Sequence, residues 1–156
     1  MKSFKYMGKY ESEESLYHRD HPKNYVPFKE PHDMKKLAVI ANCIAIGIMV
    51  VTFALYFLRL RSIEFSMLGI ICSLLFAVPH EFIHGIFMAG NVFMYQNLKQ
   101  GMLFVLCDGD MTKGRFVLVS LAPNIVFGFI PFILFMINPS WIFLGTLGAL
   151  SILMGA

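Results

Sequence analysis

Charge is scarce in this sequence: Asp, Glu, Lys and Arg make up 15% of its 156 residues, against about 25% in a soluble globular domain. The scarcity is uneven. Residues 1–36 hold eight of the thirteen Lys and Arg and six of the ten acids, so nine charges remain in the 120 residues from Leu37 onward. A net charge of +3, scattered in this way, with no glycine-rich phosphate loop and no aromatic RNA-binding motif, excludes nucleic acid as a partner. Cysteine is also rare. Cys43, Cys72 and Cys107 are odd in number and form no C-x-x-C pair, which excludes a disulfide framework and a cysteine zinc knuckle. The first two lie in apolar segments and read as small buried residues. An apolar core is missing from the first thirty or so residues, where a secretory signal would carry one. The first apolar stretch is therefore expected to remain as a membrane anchor.

Apolar residues are what the chain has in abundance. They make up 57% of it, and the mean hydropathy is +0.65, which points to a membrane protein with the lipid bilayer as its surroundings. The expected fold is all-α, a multi-pass transmembrane helix bundle with four apolar spans. Leu37–Leu58 is the first, 22 residues with Asn42 and Thr52 as its most polar members, long enough at about 1.5 Å per residue to cross a hydrocarbon layer of about 30 Å. Asp33 is its expected N-cap. The second runs from Phe65 to about Met88 and stops at Gly90-Asn91. Phe116–Ile137 is the third, bent by Pro123 and Pro131. The fourth begins at Trp141, an interfacial residue type, after a turn at Asn138-Pro139-Ser140.

Between the second and third spans, Val92–Tyr95 and Met102–Cys107 are short β-prone runs, and they predict a hairpin. Residues 1–36 lack apolar periodicity, and Pro22, Pro27 and Pro31 favour extended or disordered chain. The expected organisation is a polar segment, 1–36, followed by a membrane-embedded domain, 37–156. Lys23, Lys29, Lys35, Lys36, Lys99, Lys113 and Arg115 flank one membrane face and only Arg59 and Arg61 the other. The excess of positive charge places the N-terminus and the 91–115 loop in the cytoplasm, with a bacterial cytoplasmic membrane as the expected location.

The chemistry is concentrated in Pro79-His80-Glu81-Phe82-Ile83-His84. Glu81 is the only formal charge inside the four apolar spans. A charge at the centre of a bilayer costs on the order of 2.5–3.5 kcal/mol even on the most lenient scale, so it needs a partner or a task. The pattern is H-E-x-x-H. On a helix, His80 and His84 lie one turn and about 40° apart, within reach of one metal ion, and Glu81 sits about 60° beyond His84. Zinc accepts neutral imidazole nitrogen, and a catalytic zinc keeps one position open for water. A carboxylate off the metal can take the proton of that water and pass it to a leaving amine. The candidate roles are thus His80 and His84 as Zn2+ ligands and Glu81 as general base. The competing structural reading is a polar knot in which both imidazoles hydrogen-bond a neighbouring helix. Gly69, Ser73 and Ala77 repeat every four residues on the side of the two histidines, a stripe of small residues that admits another helix. Pro79 removes a backbone hydrogen bond just before the ligands.

His80-Glu81-Phe82-Ile83-His84 on a membrane helix, the β-prone loop after it, and Ser120-Leu121-Ala122-Pro123-Asn124 in the next span resemble the zincin peptidases of the DUF3267 type. These are similar to site-2 protease-like intramembrane metalloproteases. The resemblance covers most of residues 65–156, with H-E-x-x-H as its only highly specific element. It implies a zinc metallopeptidase that hydrolyses peptide bonds of membrane proteins or peptides, with Asn124 as a substrate-contacting residue. Pro123 and Asn124 are adjacent here, where site-2 enzymes space them. The resemblance also implies a third zinc ligand, an Asp from a later membrane helix, yet no acid follows Asp110. The fourth span has sixteen residues, about 24 Å, short of a crossing. The sequence is therefore expected to be C-terminally incomplete, with that Asp beyond Ala156. Asp108 or Asp110 is the alternative within the chain, although Asp-Gly-Asp also reads as a turn.

The reading from another class is a non-catalytic membrane protein of the same architecture that binds metal or scaffolds partners. A di-iron desaturase needs several histidine boxes, and His18, His21 and His32 all precede the first span, so that reading is rejected. A transporter finds little polar path in one Glu and two His.

Overall fold

In the computed structural model, residues 2–12, 15–16, 34–97 and 102–155 are described. The chain divides into two compact units, residues 1–20 with 74–125, and residues 21–73 with 126–156.

The second of these units is an apolar helical assembly. Its first helix, α1 (Met34–Leu60, 27 residues), forms from a run of Ala, Ile, Val and Leu without proline or glutamate. Among its described side chains only Thr52 and Tyr56 are buried, while Val39, Ile44, Ile46, Val50 and Leu58 are exposed. Contiguous apolar surface of this kind is a liability in water and ordinary solvent contact in lipid. Tyr56 anchors the helix to its unit. Its ring stacks on Phe135 at 4.8 Å and on Phe65 at 5.4 Å, and its hydroxyl donates to Glu64 O at 2.6 Å. The core around it is Phe132, Phe135, Ala149 and Ile152, from α5 (Ile130–Ile137) and α6 (Ile142–Met154). Gly69 and Ser73 of α2 (Met67–Leu75) are buried, and a Cβ on Gly69 would come within 2.9 Å of Phe143 O and Thr146 Cβ. Gly69 thus lets α6 approach, whereas Ala77, the third residue of the expected stripe, belongs to the next helix. Arg59 donates to Met136 O and Ile137 O at 2.8 and 3.0 Å, which satisfies carbonyls at the end of α5.

The other unit joins two helices to a sheet. α3 (Ala77–Phe87) precedes β2 (Val92–Asn97) and β3 (Met102–Cys107), and α4 (Lys113–Pro123) follows them. The predicted hairpin is present, antiparallel with register Val92↔Cys107 to Asn97↔Met102. A third strand, β1 (Phe4–Lys9), pairs in parallel with β2 from Phe4↔Val92 to Lys9↔Gln96, with a bulge between Tyr6 and Gly8. Val92 and Tyr95 are fully buried, and Val119 and Ala122 of α4 are buried in the same unit. α4 is capped by Thr112, whose hydroxyl accepts from Arg115 N at 3.3 Å. Beyond Pro123 the backbone widens into a π-helical segment, Asn124–Phe129, before α5 begins.

Two expectations change. The fold is mostly helical and not all-α, because the N-terminal segment read as extended or disordered supplies β1, the third strand of a sheet. Among the described residues, two helices are long and apolar enough to cross a membrane, Val39–Leu60 and Lys113–Ile137, and three if the bent pair Met67–Leu75 and Ala77–Phe87 counts as one. α6 has 13 residues, about 20 Å, so its length alone does not support a fourth crossing of about 30 Å. The proposed N-cap Asp33, the prolines at 22, 27 and 31 and the histidines at 18, 21 and 32 lie outside the described residues.

Candidate metal centre

Pro79 shapes the helix that carries the site. A proline ring clashes with the carbonyl four residues earlier, here that of Leu75, and α2 ends at Leu75. Phe76 is the break, with φ −76° and ψ 0°, and the pair is bent by 45° there. Pro79 is then the third residue of α3, where an amide hydrogen has no intrahelical partner to lose. Regular bonding resumes with His80 N donating to Phe76 O at 2.8 Å.

One face of α3 carries the chemistry. His80, Glu81 and His84 are each partly buried, and one ligand atom from each lies within 4.8 Å of the others. The two imidazoles meet edge to face, with ring centroids 4.9 Å apart and planes at 73°. The opposite face, about 180° round the helix, is the exposed apolar row Val78, Phe82 and Ile86. Among the described residues, no other cluster of His, Cys, Asp and Glu has this metal-holding geometry.

A fit to zinc is supported by the partner that one His84 ring nitrogen already has. His84 Nδ1 is 2.7 Å from Val119 O in α4. A carbonyl can only accept, so the imidazole donates its Nδ1–H and keeps a lone pair on Nε2. A metal-binding histidine is commonly held by this kind of bond from its second nitrogen to a carbonyl or carboxylate. Two neutral imidazoles and a carboxylate form a donor set that zinc accepts.

The end of α3 is held from both sides. Lys2 Nζ donates to Ile86 O and Met88 O, each at 2.7 Å, and Arg115 Nε donates to Phe87 O at 2.8 Å. Cations at a helix C-terminus complement its dipole. Burial, and then the Arg115 guanidinium, hold the Lys2 ammonium below its ordinary pKa. Gly85, next to His84, leaves room for β1: a Cβ there would run into the Phe4 ring and crowd Val92. Phe4 also stacks on Phe82 at 4.8 Å. Neither Lys2 nor Phe4 stands out in the sequence, because their roles depend on a parallel strand pairing with residues more than eighty positions away; Arg115 acts on a helix end 28 positions earlier, which no local pattern marks.

The loop acids do not join the group. Asp108 Oδ1 accepts from Asn91 N at 2.6 Å and Oδ2 from Asn91 Nδ2 at 2.8 Å, while Asn91 Oδ1 accepts from Ser3 Oγ at 2.8 Å. Asp108 thus closes the base of the hairpin, and Gly90 at φ +70° lets it approach. Asp110 is exposed in the following loop. Asn124, the expected substrate contact, is the first residue of the π-helical segment and is only 8% exposed.

The model of the DUF3267 family, described as "Putative zincin peptidase", matches residues 73–156, more than half of the chain. That range takes in α3 with its two histidines, the hairpin and α4. Comparison with curated proteins and with solved structures finds no match.

Proposed function

Since the chain belongs to the DUF3267 family, we propose that it is an intramembrane zinc metallopeptidase acting on membrane proteins or peptides, with His80 and His84 as ligands and Glu81 as general base. The observation that carries this reading is the pairing of the His80–Glu81–His84 group with the His84 Nδ1 bond to Val119 O. Zinc, when bound, supplies Lewis acidity toward water and the peptide carbonyl. His84 is oriented by α4, and His80 is held one turn away on a helix with regular bonding at its amide. The Glu81 carboxylate stands within the same group, where it can take a proton from the attacking water and return it to the amine that leaves. Asn124 is the proposed contact for the substrate backbone.

The membrane setting follows from the helices long and apolar enough to cross. Seven Lys and Arg on one flank against two on the other favour a cytoplasmic N-terminus and a cytoplasmic 91–115 loop. In intact cells, an impermeant thiol reagent should label Ser62→Cys and spare Lys113→Cys, both made in a protein without its native cysteines. The reverse pattern would invert the topology.

Metal content tests the ligands. The natural protein, purified in detergent, should hold close to one zinc per chain by elemental analysis, and His80→Ala or His84→Ala should lose most of it. Equal zinc in the wild type and both variants would remove the assignment.

A further inference from the structure

The carbonyl of Val119 lies inside α4, where a helix pairs each carbonyl with the amide four residues on. That residue is Pro123, which has no N–H and whose ring pushes the carbonyl four residues earlier off its helical path. The next amide, of Asn124, donates to Leu121 O. Val119 is 4% exposed, and a buried carbonyl left without a donor is costly. The donor that reaches it is His84 Nδ1, at 2.7 Å. The backbone stays wide immediately afterwards, through the π-helical Asn124–Phe129, a form that recurs near functional sites.

We propose that Pro123 is a positioning residue for the metal centre: by leaving Val119 O without its helical donor, it makes that carbonyl the acceptor that fixes the Nδ1–H tautomer of His84 and turns Nε2 to the ion. The inference rests on the zinc reading above. It assigns to Pro123 a chemical task separate from bending the span. Any other residue type at 123 restores an amide hydrogen that competes for Val119 O in the direction the helix prefers. His84 would then lose its anchor and choose its tautomer and rotamer freely.

Two variants separate the missing hydrogen from the ring. Pro123→Ala restores the N–H. The α-hydroxy analogue of alanine at position 123, introduced as a backbone ester, has neither the ring nor the N–H. The first readout is nitrogen NMR of the metal-free natural protein with labelled histidine. It should show His84 as the Nδ1–H form in the wild type and in the ester, and a mixture in Pro123→Ala. The second is zinc affinity by competition with a chelator. Pro123→Ala should bind on the order of 10–100-fold more weakly, the usual loss when an outer-shell partner of a ligand is removed, and the ester should bind within about threefold of wild type.

An Nε2–H form of His84 in the wild type would overturn the proposal, and so would an ester as weak as Pro123→Ala, which would assign the effect to the ring. Unchanged affinity and tautomer in Pro123→Ala would do the same. If Pro123→Ala fails to fold, the wild type and the ester still decide. A wild type that holds the Nδ1–H form but takes up no zinc would instead remove the metal reading and leave the hydrogen-bond assignment standing.

Discussion

α1 runs for 27 residues without a break, whereas α3 and α4 have eleven each. The difference lies in what each stretch of sequence must do. α1 contains no proline, so its interior carbonyls each find the amide four residues on, as a helix in lipid requires. Its side chains meet few protein neighbours, with Thr52 and Tyr56 as the buried exceptions among those described. α3 begins after a break that Pro79 forces, and α4 ends at Pro123. The two prolines are not equivalent. Pro79 falls in a first turn, where no hydrogen bond is lost, while Pro123 releases the Val119 carbonyl that a histidine then takes up. Backbone irregularity in this protein lies beside the His80–Glu81–His84 group, whereas the charged residues of the plain helix, Lys35, Lys36 and Arg59, sit near its ends.

The largest effect is expected from a proline placed within α1. Val50→Pro releases the carbonyl of Ile46, and both side chains are exposed, so no polar partner replaces the lost bond. A loss of about 3 kcal/mol or more is expected, read as a fall in the thermal unfolding midpoint in detergent. An unchanged midpoint would mean that proline is tolerated equally in either setting, and the contrast with Pro123 would disappear.

A smaller effect sharpens the same contrast through glycine. A Cβ on Gly47 in α1 meets nothing within 4 Å, whereas one on Gly85 in α3 would collide with Phe4 and crowd Val92. Gly47→Ala should therefore stabilise by up to about 1 kcal/mol. Gly85→Ala should destabilise by about 1–3 kcal/mol and weaken protection of the β1 amides in hydrogen exchange. Equal stabilisation by both substitutions would show that β1 does not pack against α3.

Much of this is legible in the sequence where the signal is local. Val92–Tyr95 and Met102–Cys107 declare a hairpin through short β-prone runs separated by polar residues. H-E-x-x-H places two imidazoles on one helix face by spacing alone, and the apolar run from Leu37 announces α1. β1 is hidden because Phe4–Lys9 is mostly exposed and pairs in parallel with a strand far along the chain, so no short-range pattern marks it. The division of the second apolar segment is hidden for a different reason. Pro79 is visible, but its effect depends on whether it falls in a helix interior or a first turn. Asp108 illustrates the same limit: as a letter it is a possible metal ligand, and only the position of Asn91 shows both its oxygens engaged.

Glu81 is proposed to act as general base beside a metal held by His80 and His84. Glu81→Gln keeps the size and shape of the side chain but cannot accept a proton from water. The decisive measurement compares the natural protein and Glu81→Gln, at matched expression, by profiling new N-termini in isolated membranes and by zinc content of the purified proteins. Near-equal zinc is expected, with the loss, in Glu81→Gln alone, of cleavage products that map within or at the edge of membrane segments. Identical N-terminal profiles with zinc retained in both would contradict this role for Glu81 and would leave a metal-binding membrane protein without peptidase activity.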